Sequence, residues 1–183
     1  MLTAQLRNDS IFKLKTLQTI GLKNTATNTS FRLPSFTDPR LMLFIFLSPE
    51  CPLCKNYTPA INALKQQYTG RVEIWGIIPG KSYSESNVAS FAKKYKIAFP
   101  LLIDQQKKLT NYLQASVTPE VVLLNANYEL VYKGAIDDQV KSLSERSIKA
   151  NRLYLTDAIN AALGNQTVAY KRIKAVGCLI NDY

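Results

Sequence analysis

The sequence predicts an α/β fold, a mixed central sheet with helices on both of its faces. Three observations carry this. LMLFIFL (41–47) and VEIWGII (72–78) are continuous apolar runs, the mark of central strands covered on both sides. Segments with helical spacing follow each of them, so strands alternate with helices. Finally VVLL and ELVYK, joined by Asn-Ala-Asn at 125–127, read as a hairpin.

In chain order, IFKLKTL (11–17) and FRLPSF (31–36) each alternate, and are expected as strands with one face buried. Polar NTATNTS (24–30) is then the loop of an N-terminal hairpin. After the first central strand, Tyr57, Ile61, Leu64 and Tyr68 fall on one helix face, with Gly70 as its C-terminal cap and Pro59 as an internal kink. Ser82 and Glu85 have capping-box spacing ahead of the stripe Val88, Phe91, Ala92 and Tyr95. PLLID (100–104) reads as a short strand, and Leu109, Tyr112 and Leu113 as a short helix. These form an insertion before the closing hairpin. Leu155, Ala158, Ile159, Ala162 and Leu163 mark a last helix ended by Gly164. DDQVKSLSERSIKA (137–150) is expected as a polar loop partly covering the site. The domain is expected over residues 1–165, with 166–183 as a tail packing on it.

Composition narrows the chemistry. With 183 residues, 46% of them hydrophobic, the chain is long enough for one sizeable core. It has no histidine, which excludes Cys₂His₂ zinc sites, haem attachment, Cys–His nucleophile pairs and Ser–His–Asp hydrolysis. The net charge is +10, but the 23 Lys and Arg are scattered. Scattered charge suits solvated faces better than a nucleic-acid footprint. Attraction to anionic membrane surfaces stays open. The N-terminus lacks a basic, then apolar, then small-residue leader pattern, so the chain is expected to be either cytoplasmic or freed of its leader.

FLSPECPLCKNYTP (46–59) holds the chemistry. Cys51 follows a central strand and opens a helix, where backbone N–H groups stabilise a thiolate. The first cysteine is expected at the exposed tip and Cys54 one turn in, better shielded. Cys51 is therefore the expected nucleophile and Cys54 the resolving thiol. Zinc would need a fourth ligand beyond Cys51, Cys54 and Cys178. A structural staple would close too small a loop to remove much chain entropy. Redox exchange, with no cofactor and no metal, is the reading that remains. A redox-inert binding or metal-holding module is its rival. Glu50 beside Cys51 should raise the cost of a thiolate, and Lys55 should lower it.

From about residue 10 to 165 this layout resembles the thioredoxin-like superfamily, and within it the AhpC/TSA-like redoxins and the thiol reductases of cytochrome maturation. CPLC lies at a strand-to-helix junction, Pro59 comes eight residues after Cys51, and Thr118-Pro119 immediately precedes VVLL. The resemblance implies a cis-proline at Pro119, and a substrate groove from Pro52, Leu53, Thr118 and Pro119 in which Thr118 pairs with an extended peptide. It also implies that Glu120 takes the proton from Cys54. A surface glutamate at a strand start is the alternative. The implied function is thiol–disulfide exchange as a reductase, with protein substrates, an upstream reductant and an extracytoplasmic, periplasmic location. The chain departs from thioredoxin in having Glu50 before the first cysteine and Ile45 in place of the buried aspartate. No threonine stands three before Cys51, which weakens a thiol-peroxidase reading. Cys178, in AVGCLI, is either a buried thiol between Val176 and Leu179 or a third redox thiol.

Overall fold

The computed structural model describes residues 12–35, 38, 40–142, 145, 147 and 149–180. Among these residues the main sheet has eight strands, in the order β2 (Thr29–Phe31), β1 (Leu22–Asn24), β5 (Leu101–Asp104), β4 (Val72–Pro79), β3 (Leu41–Phe46), β7 (Glu120–Leu124), β8 (Leu130–Gly134) and β9 (Arg172–Ile173). At its centre β3 (Leu41–Phe46) lies parallel to β4 (Val72–Pro79) and antiparallel to β7 (Glu120–Leu124). Alternation along β3 divides the core in two. Leu41, Leu43 and Ile45 join the cluster under α2 (Pro52–Gln67), α3 (Glu85–Lys94) and α5 (Tyr154–Leu163). Met42, Phe44 and Phe46 face the other way, onto α1 (Leu14–Thr19) and α4 (Lys108–Tyr112). Both faces of the strand are therefore dry, which is why the run shows no alternation of polarity.

The N-terminal hairpin exists, but its strands lie closer to the loop than alternation suggests. β1 (Leu22–Asn24) pairs with β2 (Thr29–Phe31), and β1 also pairs antiparallel with β5 (Leu101–Asp104). The segment expected as the first strand is instead helix α1. Leu14, Leu17 and Ile20 recur every third residue, so one turn of helix buries Leu17 and Ile20 where a strand would split them between faces. Of the described residues of FRLPSF only Phe31 is in a strand, and Pro34 has no N–H to give a ladder. Ile11 and Phe36 of these two segments lie outside the described residues.

Helix α2 runs unbroken through Pro59. Pro59 offers no N–H to the Lys55 carbonyl, and the Thr58 hydroxyl donates to that oxygen instead, at 2.9 Å. The helix ends at Tyr68, with Gly70 two residues further on in the left-handed turn. Ahead of α3 the capping box is Ser84 with Asn87, two residues beyond the expected pair of Ser82 and Glu85. The hairpin β7–β8 (Leu130–Gly134) and the last helix fall where their patterns place them.

Past α5 the tail returns to the sheet. β9 (Arg172–Ile173) pairs with β8, and β10 (Cys178–Leu179) pairs with β6 (Val117–Thr118) in a separate two-stranded sheet.

Candidate thiol site

β3 delivers the chain to the carboxyl end of the parallel strands, and Cys51 is the N-cap of α2 with Pro52 at the first helical position. Proline suits that place because its missing N–H would have no partner there. The Cys51 sulfur is surrounded by donors. The thiol of Cys178 donates to it at 2.7 Å. The Cys54 thiol donates to it as well. As a thiol, Cys51 itself donates to the Thr118 carbonyl at 3.1 Å. That oxygen disfavours a thiolate, but the donors outnumber it. Hydrogen bonding from Cys54 first, and from Cys178 after it, outweighs burial and pulls Cys51 down to about 4. Glu50 and Lys55, the expected influences, are not among the causes.

The other two thiols move the opposite way. Burial pushes Cys54 far above the ordinary thiol range, reinforced by its bond to Cys51 and the negative charge there. Its sulfur accepts from the Ser48 N–H at 3.4 Å. Burial, and then the hydrogen bond to Cys51, push Cys178 up to about 11. One sulfur is thus a thiolate at neutral pH, flanked by two that hold their protons.

The expected exposure of Cys51 is not found. Cys51 is 2% exposed and Cys54 fully buried, because the tail strand lies over the first cysteine. Beside them is a hollow of about 290 Å³ bordered by Ser48, Glu50, Tyr83, Thr118 and Cys178. Of the four expected groove residues only Thr118 lines it. Pro52 is exposed, Leu53 packs toward the core, and Pro119 follows a cis peptide bond from Thr118. No described residue of the 137–150 loop borders the hollow, and Asp137 instead accepts from Tyr57 on α2. Leu143, Ser144, Arg146 and Ile148 of that loop lie outside the described residues.

Glu120 is also placed differently from its expected role. Val121 and Leu123 share the cluster that holds both cysteines, so strand alternation turns Glu120 to the opposite face of the sheet. There its carboxylate accepts from the Ser116 N–H at 2.7 Å and stands 3.8 Å from the Lys133 ammonium. Lys133 in turn donates to the Leu113 and Gln114 carbonyls. The pair holds the loop that leads into β6; it does not touch Cys54.

Sequence reasoning missed Tyr83, whose hydroxyl is 2.8 Å from that of Ser48. A usable signal was there. GKSYSES follows the second central strand, so its loop had to emerge at the same sheet end as Cys51, where α/β sites gather.

The comparisons agree with this fold. An uncharacterized conserved protein from Geobacillus kaustophilus superposes with TM-score 0.80 at 22% identity, over 90% of this chain and 88% of that one. A secreted Mycobacterium tuberculosis disulfide oxidoreductase homologous to E. coli DsbE gives TM-score 0.60 at 17% identity, over 80% and 98%. These likenesses show the thioredoxin-like fold. The thioredoxin-like protein YneN of Bacillus subtilis is 28% identical over 98 residues, 53% of this chain and 54% of the relative, so the match spans about half the length of that protein. Residues 12–139, most of the chain, match the AhpC/TSA family, and the chain belongs to that family.

Proposed function

We propose that the protein is a thiol–disulfide oxidoreductase that exchanges disulfides with protein partners through Cys51 and Cys54. The observation that carries this is the Cys51 sulfur, at the N-terminus of α2 with the thiols of Cys54 and Cys178 hydrogen-bonded to it. In the reductive direction, the Cys51 thiolate attacks one sulfur of a partner disulfide, and the other leaves as a thiolate that takes a proton from solvent. Once Cys51 is in the mixed disulfide it carries no charge, so both the attraction and the repulsion that held the Cys54 proton vanish. Cys54 then gives its proton to the departing partner sulfur and attacks Cys51. The partner leaves with two thiols and two more electrons, and the chain keeps a Cys51–Cys54 disulfide. The reverse sequence oxidises a partner dithiol.

Direction follows from what stabilises the reduced state. The resemblance implies a reductase, but a thiolate held at about 4 favours the dithiol form and so raises the potential. We therefore place the couple toward the oxidising side of its fold relatives, as a donor of disulfides to protein dithiols. Among the described residues no group of three or more His, Cys, Asp or Glu is arranged to hold a metal ion. The likeness to a secreted oxidoreductase favours an extracytoplasmic site of action. Among the described residues no helix is long and apolar enough to cross a membrane.

The test is exchange with a peptide dithiol/disulfide pair, followed by mass. Wild-type protein exchanges and Cys51→Ser does not. Full exchange by Cys51→Ser would sink the reading.

A further inference from the structure

The tail sits where a partner would. β10 runs antiparallel to β6, with Cys178 opposite Thr118 and Leu179 opposite Val117, and the Ile180 N–H donates to the Ser116 carbonyl at 3.0 Å. An extended peptide adding to this edge would make the same main-chain bonds. Two glycines allow the approach. A Cβ on Gly177 would stand 2.3 Å from the Thr118 oxygen, and one on Gly134, at φ +135°, would stand 1.6 Å from the Ile173 oxygen where β9 crosses β8. With the tail seated, Cys51 is closed to any macromolecule, while Cys178 is half-buried and Leu179 beside it is 75% exposed. Of the three cysteines of this site, the tail's is the most exposed.

We propose that the tail strand is a built-in substrate: Cys178 takes the disulfide from Cys51 and presents it at the surface to a dithiol protein. This rests on the exchange reading above and names its first acceptor. In the oxidised chain the Cys178 thiolate attacks the Cys51 sulfur. A Cys51–Cys178 bond forms, the Cys51–Cys54 bond breaks, and Cys54 leaves with the proton Cys178 gave up, so no electrons enter or leave. A dithiol protein then attacks the Cys178 sulfur. Cys51 departs as the best-stabilised thiolate of the three, which makes it the favoured leaving group. The partner's second thiol closes its own disulfide and frees Cys178. The partner has lost two electrons and two protons; one proton goes to Cys178 and the other to solvent, since Cys51 rests as a thiolate, and the three cysteines are again unpaired, as in this structure. A separate disulfide protein reoxidises Cys51 and Cys54 when the tail lifts and its strand takes the vacated edge.

The experiment uses the full chain in four variants. Cys54→Ser, oxidised with diamide in the presence of glutathione, is expected to yield an intramolecular Cys51–Cys178 disulfide on peptide mapping. A glutathione adduct on Cys51 with Cys178 left free overturns the proposal. Oxidised wild type, Cys178→Ser and Gly177→Ala are then mixed with reduced thioredoxin as the dithiol probe. Both variants are expected to pass on their disulfide at least about tenfold more slowly, having lost the intramolecular acceptor or its docking. Rates equal to or faster than wild type would make the tail a mere cover and overturn it too. If Cys51→Ser is inactive while Cys178→Ser is not slowed, the inference alone falls. If Cys51→Ser still exchanges, the underlying function falls with it.

Discussion

Cys54 and Cys178 do the same thing to Cys51 from two very different places. Each donates a hydrogen bond to its sulfur and each has its own proton held more tightly as a result. Cys54 is three residues away on a sixteen-residue helix, fully buried, and cannot leave without unfolding α2. Cys178 is 127 residues away on a two-residue strand, half-buried, and held by a few main-chain bonds. One donor is permanent and the other detachable. A site built this way can tune its nucleophile with both thiols yet exchange only one of them for a partner.

The contrast can be broken most severely through Glu120. Its carboxylate and Lys133 are nearly buried and together anchor the Ser116–Val117 turn on which the tail docks. Glu120→Ala strands the ammonium, whose proton affinity burial already lowers, and should cost about 3–5 kcal/mol in chemical denaturation. A variant as stable as wild type would show that the turn does not depend on the pair.

Next in size is the pH profile of Cys51 alkylation. A thiol reacts as its thiolate, so an unperturbed cysteine gains roughly fifty- to a hundredfold in rate from pH 6 to 8. Cys51, at about 4, is already ionised across that range, and its rate should be flat. Cys54→Ala and Cys178→Ala should both move the acid limb upward, and Cys54→Ala further, because its bond is the larger cause. Equal shifts would make the two donors equivalent.

Gly177→Ala should detach only the movable donor. Its Cβ would meet the Thr118 carbonyl, so alkylation of Cys178 should speed up about tenfold while Cys54 stays protected. The smallest effect is expected at Thr58→Ala, which leaves the Lys55 carbonyl beside Pro59 without its hydroxyl donor. A loss of about 1 kcal/mol in the stability of the fold should follow, with the tail untouched.

What the sequence made legible was local. The apolar run of β3, the face of α2, the CPLC junction and the β7–β8 hairpin each carry their pattern within about a dozen residues, and each was found. What escaped was set by distance or parity. A two-residue strand has no period to detect, so nothing in AVGCLI announced that Cys178 would lie against Cys51; only Gly177, before the cysteine, hinted at a close backbone approach. Glu120 was a different kind of miss. If VVLL turns Val121 toward α2, its neighbour must face away, and that alternation was readable before any coordinates. The α1 segment fits a period of two at its start and a period of three over its length, and burial of Leu17 with Ile20 decided between them.

The central claim is that Cys51 and Cys54 form a redox couple whose reduced state is stabilised. It is tested most directly by titrating the protein in graded thiol–disulfide buffers, quenching with alkylating agent and reading each cysteine separately by mass. The account predicts a two-electron transition that protects Cys51 together with Cys54 or Cys178, displaced from roughly −270 mV toward the −120 mV end of the range for thioredoxin-fold couples. If Cys51 stays alkylatable at every potential, the account is contradicted.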